Sequence, residues 1–163
     1  MDVISAIHRR RSIRKYKNKE IPKELLMEIL EAARQAPSGA NKQPWRLVVV
    51  TDPETKKALV SICKEQKFVA ECSAFIVGID DPAQKWSRVD LAIALEHMVL
   101  AAVEKGLGTC WIGAFDPEKK SAHLGVPKGL VVTACLALGY PDEAPEARGR
   151  KNLNDLVHWE KYG

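Results

Sequence analysis

The sequence predicts an α+β or mixed α/β sandwich folded as a single domain. Three observations predict it. Apolar residues recur at helical spacing in some segments and in short β-branched runs in others, and the two kinds are interleaved along the chain. One helix, from about Ser87 to Lys105, is apolar around most of its girth, and one strand, Leu130–Leu138, is almost continuously apolar, with Thr133 its one polar residue. Elements of that kind are covered on more than one side, as the middle of a layered fold requires. Finally, 163 residues suffice for one core and match the size of one domain.

Each element has its own warrant. Asp2 is placed to cap a first helix carrying Val3, Ile4 and Ile7 on one face. Pro22 suits the first turn of a second helix, in which Leu25, Leu26, Ile29, Leu30 and Ala33 share a face. Pro37 ends it, because a residue before proline is pushed out of helical geometry. Trp45–Thr51 reads as a strand. Asp52-Pro53 is a cap followed by a first-turn proline, which opens a helix over about Pro53–Lys64. Ser73–Ile79 is a second strand, broken by Asp80-Asp81-Pro82. In the long helix, Ala92, Leu95, Met98, Val99 and Ala102 line one face, and Leu91, Ala94 and Val103 widen it into a core helix or a subunit interface. Gly106 stops that helix. Thr109–Ile112 is a short strand, Asp116-Pro117 caps another helix, and Leu130–Leu138 is the last strand. After Gly139 the chain becomes rich in Pro, Glu and Arg, which predicts a loop or extended arm, and Asn154–Gly163 reads as an amphipathic tail.

Composition narrows the function classes. Hydrophobic residues make up 46% and charged residues 28%, the balance of a globular chain with a core. No apolar run approaches the roughly 20 residues of a membrane helix. The basic stretch His8–Arg11 follows the short apolar start instead of preceding it, unlike a secretory leader, so a cytoplasmic protein is expected. Cys63, Cys72, Cys110 and Cys135 form no C-x-x-C pair and have no clustered histidine, which points to reduced, packed thiols and not to a zinc site. A net charge of +4 is too small to argue for nucleic acid. Its distribution says more: Arg9, Arg10, Arg11, Arg14 and Lys15 lie near one end, and Arg148, Arg150 and Lys151 near the other. Two basic clusters in one domain can converge on a single anion.

Three motifs bear on chemistry. In R-R-R-S-I-R-K-Y, from Arg9 to Tyr16, several guanidinium groups and a hydroxyl crowd together. Guanidinium grips phosphate with two parallel hydrogen bonds and keeps its charge at any working pH. Arg10 and Arg14 share a face if the first helix continues that far; cations there would also simply complement the helix dipole. In A-P-S-G-A-N-K-Q-P-W, from Ala36 to Trp45, Ser38, Asn41 and Gln43 offer short donors and acceptors and Gly39 permits close backbone approach, although turn formers alone also explain such a loop. In G-L-G-T-C-W-I-G-A-F, from Gly106 to Phe115, the glycine spacing is not the dinucleotide fingerprint, and a helix cap followed by a strand accounts for Gly106 and Gly108. Gly113 and Ala114 follow the strand end with backbone N–H groups free to face a ligand.

Taken in order, and with the basic segment that precedes H-W-E-K-Y-G, these motifs resemble the FMN-dependent nitroreductase superfamily from Ile4 to Gly163. The resemblance implies an α/β/α sandwich around a central, mostly antiparallel mixed sheet. It implies a homodimer with FMN at the subunit interface, and an arm from about 140 to 163 that reaches the partner. By position, Arg10, Arg11, Ser12 and Arg14 match FMN phosphate and ring contacts. Pro37, Ser38 and Asn41 match a second set supplied by the other subunit. Gly113 and Ala114 match the segment near flavin N5, and Gln66 matches a polar contact to the ring. Arg148, Arg150 or Lys151 matches the C-terminal basic contact to the phosphate, the three remaining open.

The implied activity is two-electron transfer from NADH or NADPH through FMN to a nitroaromatic, quinone or similar small acceptor, in ping-pong order. No catalytic side chain is implied, since the chemistry is the cofactor's. Reductive dehalogenation, oxygen-dependent flavin chemistry and non-catalytic FMN binding remain open alternatives on the same scaffold; nucleic-acid, membrane and metal partners are not implied. Where some family members carry an acidic residue this chain has Gly113. Its compact stretch 80–87 also lacks room for helices over the substrate pocket, so a more open site is expected. His97 reads as a packed residue in the long helix, and Glu96 and Asp90 as ion-pair or cap residues. Trp45, Trp86, Trp111 and Trp159 read mostly as core or interface.

Overall fold

The computed structural model describes residues 1–162. Its elements run α1 (Val3–Arg9), α2 (Lys23–Arg34), β1 (Trp45–Val50), α3 (Pro53–Ile62), α4 (Phe68–Glu71), β2 (Ala74–Asp80), α5 (Ser87–Glu104), β3 (Gly108–Ile112), α6 (Pro117–His123) and β4 (Val131–Gly139). Short 3-10 turns occur at Gly39–Asn41 and Leu153–Asp155. The N-terminal caps behave as their chemistry dictates. Asp2, Asp52 and Asp116 accept the backbone N–H groups of Ser5, Thr55 and Lys119 at 2.9, 2.7 and 3.0 Å, and Pro53 and Pro117 open α3 and α6.

The four strands form one sheet in the order β1-β2-β4-β3, with every named pair antiparallel. The parallel contribution is a single bridge between Ser12 and Thr109 at the β3 edge. Because side chains alternate across a strand, each strand feeds two cores. Phe75, Val77 and Ile79 of β2, with Cys135 and Ala137 of β4, pack in the layer that holds Leu59, Phe68 and Val69. Ile76, Leu136 and Leu138 face the opposite layer, built from Ile29 and Ala33 of α2 and Leu91, Leu95, Met98 and Val99 of α5. Full burial of one such side chain is worth about 1.5–3 kcal/mol, so the sheet is held from both sides. Gly78 sets the distance between α5 and the sheet. A Cβ there would stand 2.9 Å from the Ala134 carbonyl and 3.1 Å from Leu91 and Leu95.

The fold settles four points that the sequence reading left open or did not reach. Helix α1 stops at Arg9, with Arg10 extended (φ −54°, ψ 129°), so Arg10 and Arg14 share no helical face. The apolar residues of α1 look outward: Val3, Ile4 and Ile7 are 66, 62 and 48% exposed. The short helix α4 has too little periodicity to announce itself. The tail holds only the turn Leu153–Asp155, with Leu156, Trp159 and Tyr162 exposed, and Gly163 lies outside the described residues.

Candidate active site

The segment Arg10–Tyr16 runs in extended form along the β3 edge. Ile13 donates its N–H to the Thr109 carbonyl at 2.9 Å, and its side chain is buried; Tyr16, also buried, donates its hydroxyl to the Ile13 carbonyl at 2.7 Å. Burial pushes the Tyr16 phenol far above its ordinary range, so it is a fixed donor. With Ile13 and Tyr16 turned inward, Arg14 is left exposed and Arg10, Arg11 and Ser12 half-buried.

The C-terminal arm is zipped onto this segment. Lys17 N–H donates to the Tyr140 carbonyl and Asp142 N–H to the Lys15 carbonyl, both at 2.9 Å, and Glu143 accepts the Arg14 N–H at 2.5 Å. The zipper carries the arm's arginines back over the N-terminal cluster. A cavity of about 680 Å³ results, lined by Arg10, Arg11, Ser12, Arg14, Arg148 and Arg150, with Glu143 and Glu146 at its wall. Among the described residues none of these five guanidinium groups forms an ion pair. Arg11 is steadied by the carbonyls of His8 and Arg10 at 2.7 and 2.9 Å, and Arg150 by those of Arg148 and Gly149 at 3.0 and 3.1 Å. Burial pushes the Cys110 thiol up, while Arg14 and Arg10 pull it down and Glu143 opposes them.

The loop after α2 is a second, separate group. Ala40, Asn41 and Gln43 all have left-handed backbones (φ 50°, 54° and 50°), a strained conformation for residues other than glycine. Side chains hold them there: Ser38 Oγ accepts the Gln43 N–H at 3.0 Å, and Asn41 Oδ1 accepts from Gln43 Nε2 at 3.1 Å. The buried Asp90 carboxylate accepts the Gly39 N–H at 3.1 Å, anchoring the loop to α5, and Trp86 stands over Gly39. Asp90 thus holds a loop instead of forming an ion pair. Glu96 likewise accepts a hydrogen bond, from the Trp111 indole at 3.2 Å. Pro37 is exposed and Ser38 half-buried.

The third group lies after β3. Gly113 and Ala114 are exposed, and a Cβ on Gly113 would meet nothing within 4 Å, so the absent side chain leaves open space. Gln66 donates its amide to the carbonyls of Cys63 and Ala114 at 2.8 and 3.1 Å and pins this turn. The second and third groups do not line the arginine cavity of their own chain. Pro37, Ser38, Asn41, Gln66, Gly113 and Ala114 lie outside the lining of the arginine cavity, and so does the exposed Lys151.

Comparison with known proteins supplies the context. The model of the nitroreductase family matches residues 7–78 and 66–140. The chain belongs to the nitroreductase family. It is 34% identical to a protein of Thermus thermophilus named NADH dehydrogenase, covering 98% of this chain and 96% of that one. Its fold matches an FMN-dependent nitroreductase of Clostridium difficile with a TM-score of 0.89, at 32% identity and over 98% and 99% of the two chains. It also matches the NADPH:FMN oxidoreductase of Vibrio harveyi in complex with NAD+, with a TM-score of 0.93 at 28% identity, over 99% of this chain and 78% of the other.

Within this family member, the sequence reading missed Glu143. It is separated from Arg14 by 129 positions, and nothing local in an acidic, proline-rich arm marks which carboxylate turns inward. It also took a helix cap followed by a strand to account for both Gly106 and Gly108, which leaves the packing role of Gly108 unread. The cap belongs to Gly106, at φ 73°, while Gly108 stands where a Cβ would lie 2.6 Å from Ile13. His97 is packed as expected, its ring nitrogen 3.3 Å from the Ala32 carbonyl.

Proposed function

We propose that this chain is an FMN-dependent oxidoreductase that draws electrons from NADH or NADPH and passes them to a small conjugated acceptor such as a nitroaromatic or a quinone. It works as a homodimer in the cytoplasm. The observation that carries this reading is the cavity in which Arg10, Arg11, Arg14, Arg148 and Arg150 converge, none of their guanidinium groups being ion-paired among the described residues. Unpaired guanidiniums in a concave site call for an anion with several acceptor oxygens. The FMN phosphate is such an anion, and the donor set fits it: forked donors, the Ser12 hydroxyl and a fixed backbone.

When bound, FMN supplies the hydride-accepting and hydride-donating centre. The residues of this chain bind and orient it. The arginines and Ser12 hold the phosphate. The strained loop from Ser38 to Gln43 presents short polar groups suited to a ring edge or ribityl chain, and its cost is met by Asp90 and its own side-chain bonds. Gly113 and Ala114 leave open space at the end of β3 where a planar ring system can approach. Gln66 holds that turn in place.

Two features support the homodimer. Pro37, Ser38 and Asn41 do not line the arginine cavity of their own chain, as is expected if a second copy supplies them. The outward apolar face of α1 and the exposed Leu153, Leu156 and Trp159 of the arm are surface that a soluble monomer would bury.

The test is the visible spectrum of the purified protein, recorded without oxygen before and after NADH or NADPH is added. Flavin bands that bleach with donor support the reading. Bands that persist with both donors refute the nicotinamide assignment. A colourless protein that takes up no added FMN refutes the cofactor.

A further inference from the structure

Two glycines face each other across the last strand pair, Gly108 of β3 and Gly139 of β4. Both are crowded by the same neighbouring segment. A Cβ on Gly108 would lie 2.6 Å from Ile13 Cγ1 and 3.0 Å from Ile13 Cβ. A Cβ on Gly139 would lie 2.8 Å from Tyr16 Cδ1 and 3.0 Å from the backbone nitrogen of Ser73. Neither residue has a left-handed backbone, so conformational freedom does not explain them. The groups they accommodate are atoms at or near the main chain and a buried ring, none of which can swing aside cheaply.

We propose that Gly108 and Gly139 are positioning residues for the anion site: a bare patch on the sheet that sets how deeply Ile13 and Tyr16 seat, and so fixes where Arg10, Ser12 and Arg14 stand over the cavity. Ile13 is the neighbour of both Ser12 and Arg14 in the chain. Its N–H is fixed to Thr109, the residue after Gly108, and its carbonyl receives the Tyr16 hydroxyl. The segment is therefore held by two side chains pressed into two glycine positions and by hydrogen bonds between them. Any Cβ placed beneath Ile13 lifts the backbone that carries the phosphate-facing groups. Bidentate guanidinium contacts tolerate little displacement, so the effect falls on ligand affinity before it falls on the fold.

The inference rests on the anion-site reading above, and its test separates the two. FMN is titrated into wild-type, Gly108→Ala, Ile13→Ala and the Gly108→Ala/Ile13→Ala double variant, at a temperature where each is folded by circular dichroism. Gly108→Ala is expected to weaken FMN binding by about tenfold or more, a misplacement effect. The double variant, with the Ile13 γ-carbons removed, is expected to bind FMN more tightly than Gly108→Ala alone, the non-additivity that direct contact produces. Gly78→Ala is the control. It also crowds its neighbours, the Ala134 carbonyl at 2.9 Å and Leu91 at 3.1 Å, but lies between α5 and the sheet, so it should lower the melting temperature without changing FMN affinity.

Should Gly108→Ala fail to fold, Tyr16→Phe removes the bond to the Ile13 carbonyl at constant volume and is expected to weaken FMN binding severalfold. Inorganic phosphate, followed by thermal stabilisation, probes the arginine cavity without the flavin, and its stabilising effect should shrink in the same variants. Unchanged affinity in Gly108→Ala, no rescue in the double variant, or equal weakening in Gly78→Ala overturns the proposal while leaving the cofactor reading intact. A wild-type protein that binds phosphate but not FMN refutes the cofactor, and phosphate stabilisation that then stays undiminished in Gly108→Ala overturns the glycine seat as well, whereas a diminished one upholds it. One that binds neither overturns both.

Discussion

Removing single arginines from the cavity, with two ligands that differ only in a phosphate, tests the proposed site most directly. Arg10 is half-buried, forms no ion pair among the described residues, and lines the cavity beside Ser12. A hydrogen bond to a charged group is worth about 1.5–3 kcal/mol net, and partial exposure places Arg10 at the lower end of that range. At about 1.4 kcal/mol per tenfold change, Arg10→Ala should weaken FMN binding by roughly tenfold to thirtyfold. Arg148 is exposed, and solvent screening reduces its share to about 1 kcal/mol or less, so Arg148→Ala should cost about fivefold. Riboflavin carries the same ring and ribityl chain without the phosphate, and its affinity should change by less than about twofold in both variants, because phosphate contacts fix position and charge but not ring recognition. The assay is quenching of flavin fluorescence on titration with apoprotein, repeated at high salt, which should narrow the gap between the two ligands. Parallel losses for FMN and riboflavin would refute the reasoning, since Arg10 would then support the fold or the ring and not the phosphate. No loss for either would place the phosphate elsewhere.

Three further outcomes follow from the packing. Lys120 is fully buried with no carboxylate partner among the described residues, its Nζ 3.7 Å from the Phe115 ring centroid and 3.3 Å from Cys135 Sγ. Cation–π attraction offsets only part of a buried ammonium's desolvation, so Lys120→Met should stabilise the chain by about 1–3 kcal/mol in chemical denaturation; a loss above about 1 kcal/mol would show that the aromatic cage fully compensates the charge. Burial pushes the Cys72 and Cys135 thiols from 9.0 up to about 11. The open chain's thiols then ionise first as pH rises, so this stability is present in full below pH 9 and declines between about pH 9 and 11, by at most about 3 kcal/mol for each thiol. A melting temperature flat from pH 8 to 11 would contradict this, and Cys135→Ala should lessen the decline. Asp90→Ala leaves the Gly39 N–H without its acceptor and should cost about 1–3 kcal/mol while speeding hydrogen exchange at Gly39; Asp90→Asn, which keeps one oxygen, should restore most of the protection.

The layered core was legible in the sequence because its signals are local. Caps at Asp2, Asp52 and Asp116, prolines at 53 and 117 and the apolar girth of the long helix each act within a few residues, and each is found where it was read. The first helix shows the limit of such local signals. Its apolar face follows the rule for a buried stripe, yet Val3, Ile4 and Ile7 face outward, because periodicity reports that a face seeks cover and not that its own chain supplies it. Convergence of the two basic clusters was legible as a possibility, since charge tolerates imprecise placement. Glu143, Asp90 and Gly108 were not, because each acts through one contact with a residue 129, 51 or 95 positions away, and no local spacing encodes such a pairing.

That division explains how the site is built. Its two basic clusters stand at opposite ends of the chain and must be brought side by side if, as proposed, they grip one phosphate. The alternating contacts of residues 14–17 with 140–143 perform this alignment, and they depend on the chain leaving β4 beside the segment that lies against β3. The sheet order β1-β2-β4-β3 is what makes those two points neighbours. An arm attached to any other strand would carry Arg148 and Arg150 away from Arg10 and Arg14. The arginines supply the chemistry, but the antiparallel pairing of β3 with β4 supplies the address. Substitutions that loosen that pairing near Gly108 and Gly139 should therefore weaken anion binding more than equally costly substitutions near β1.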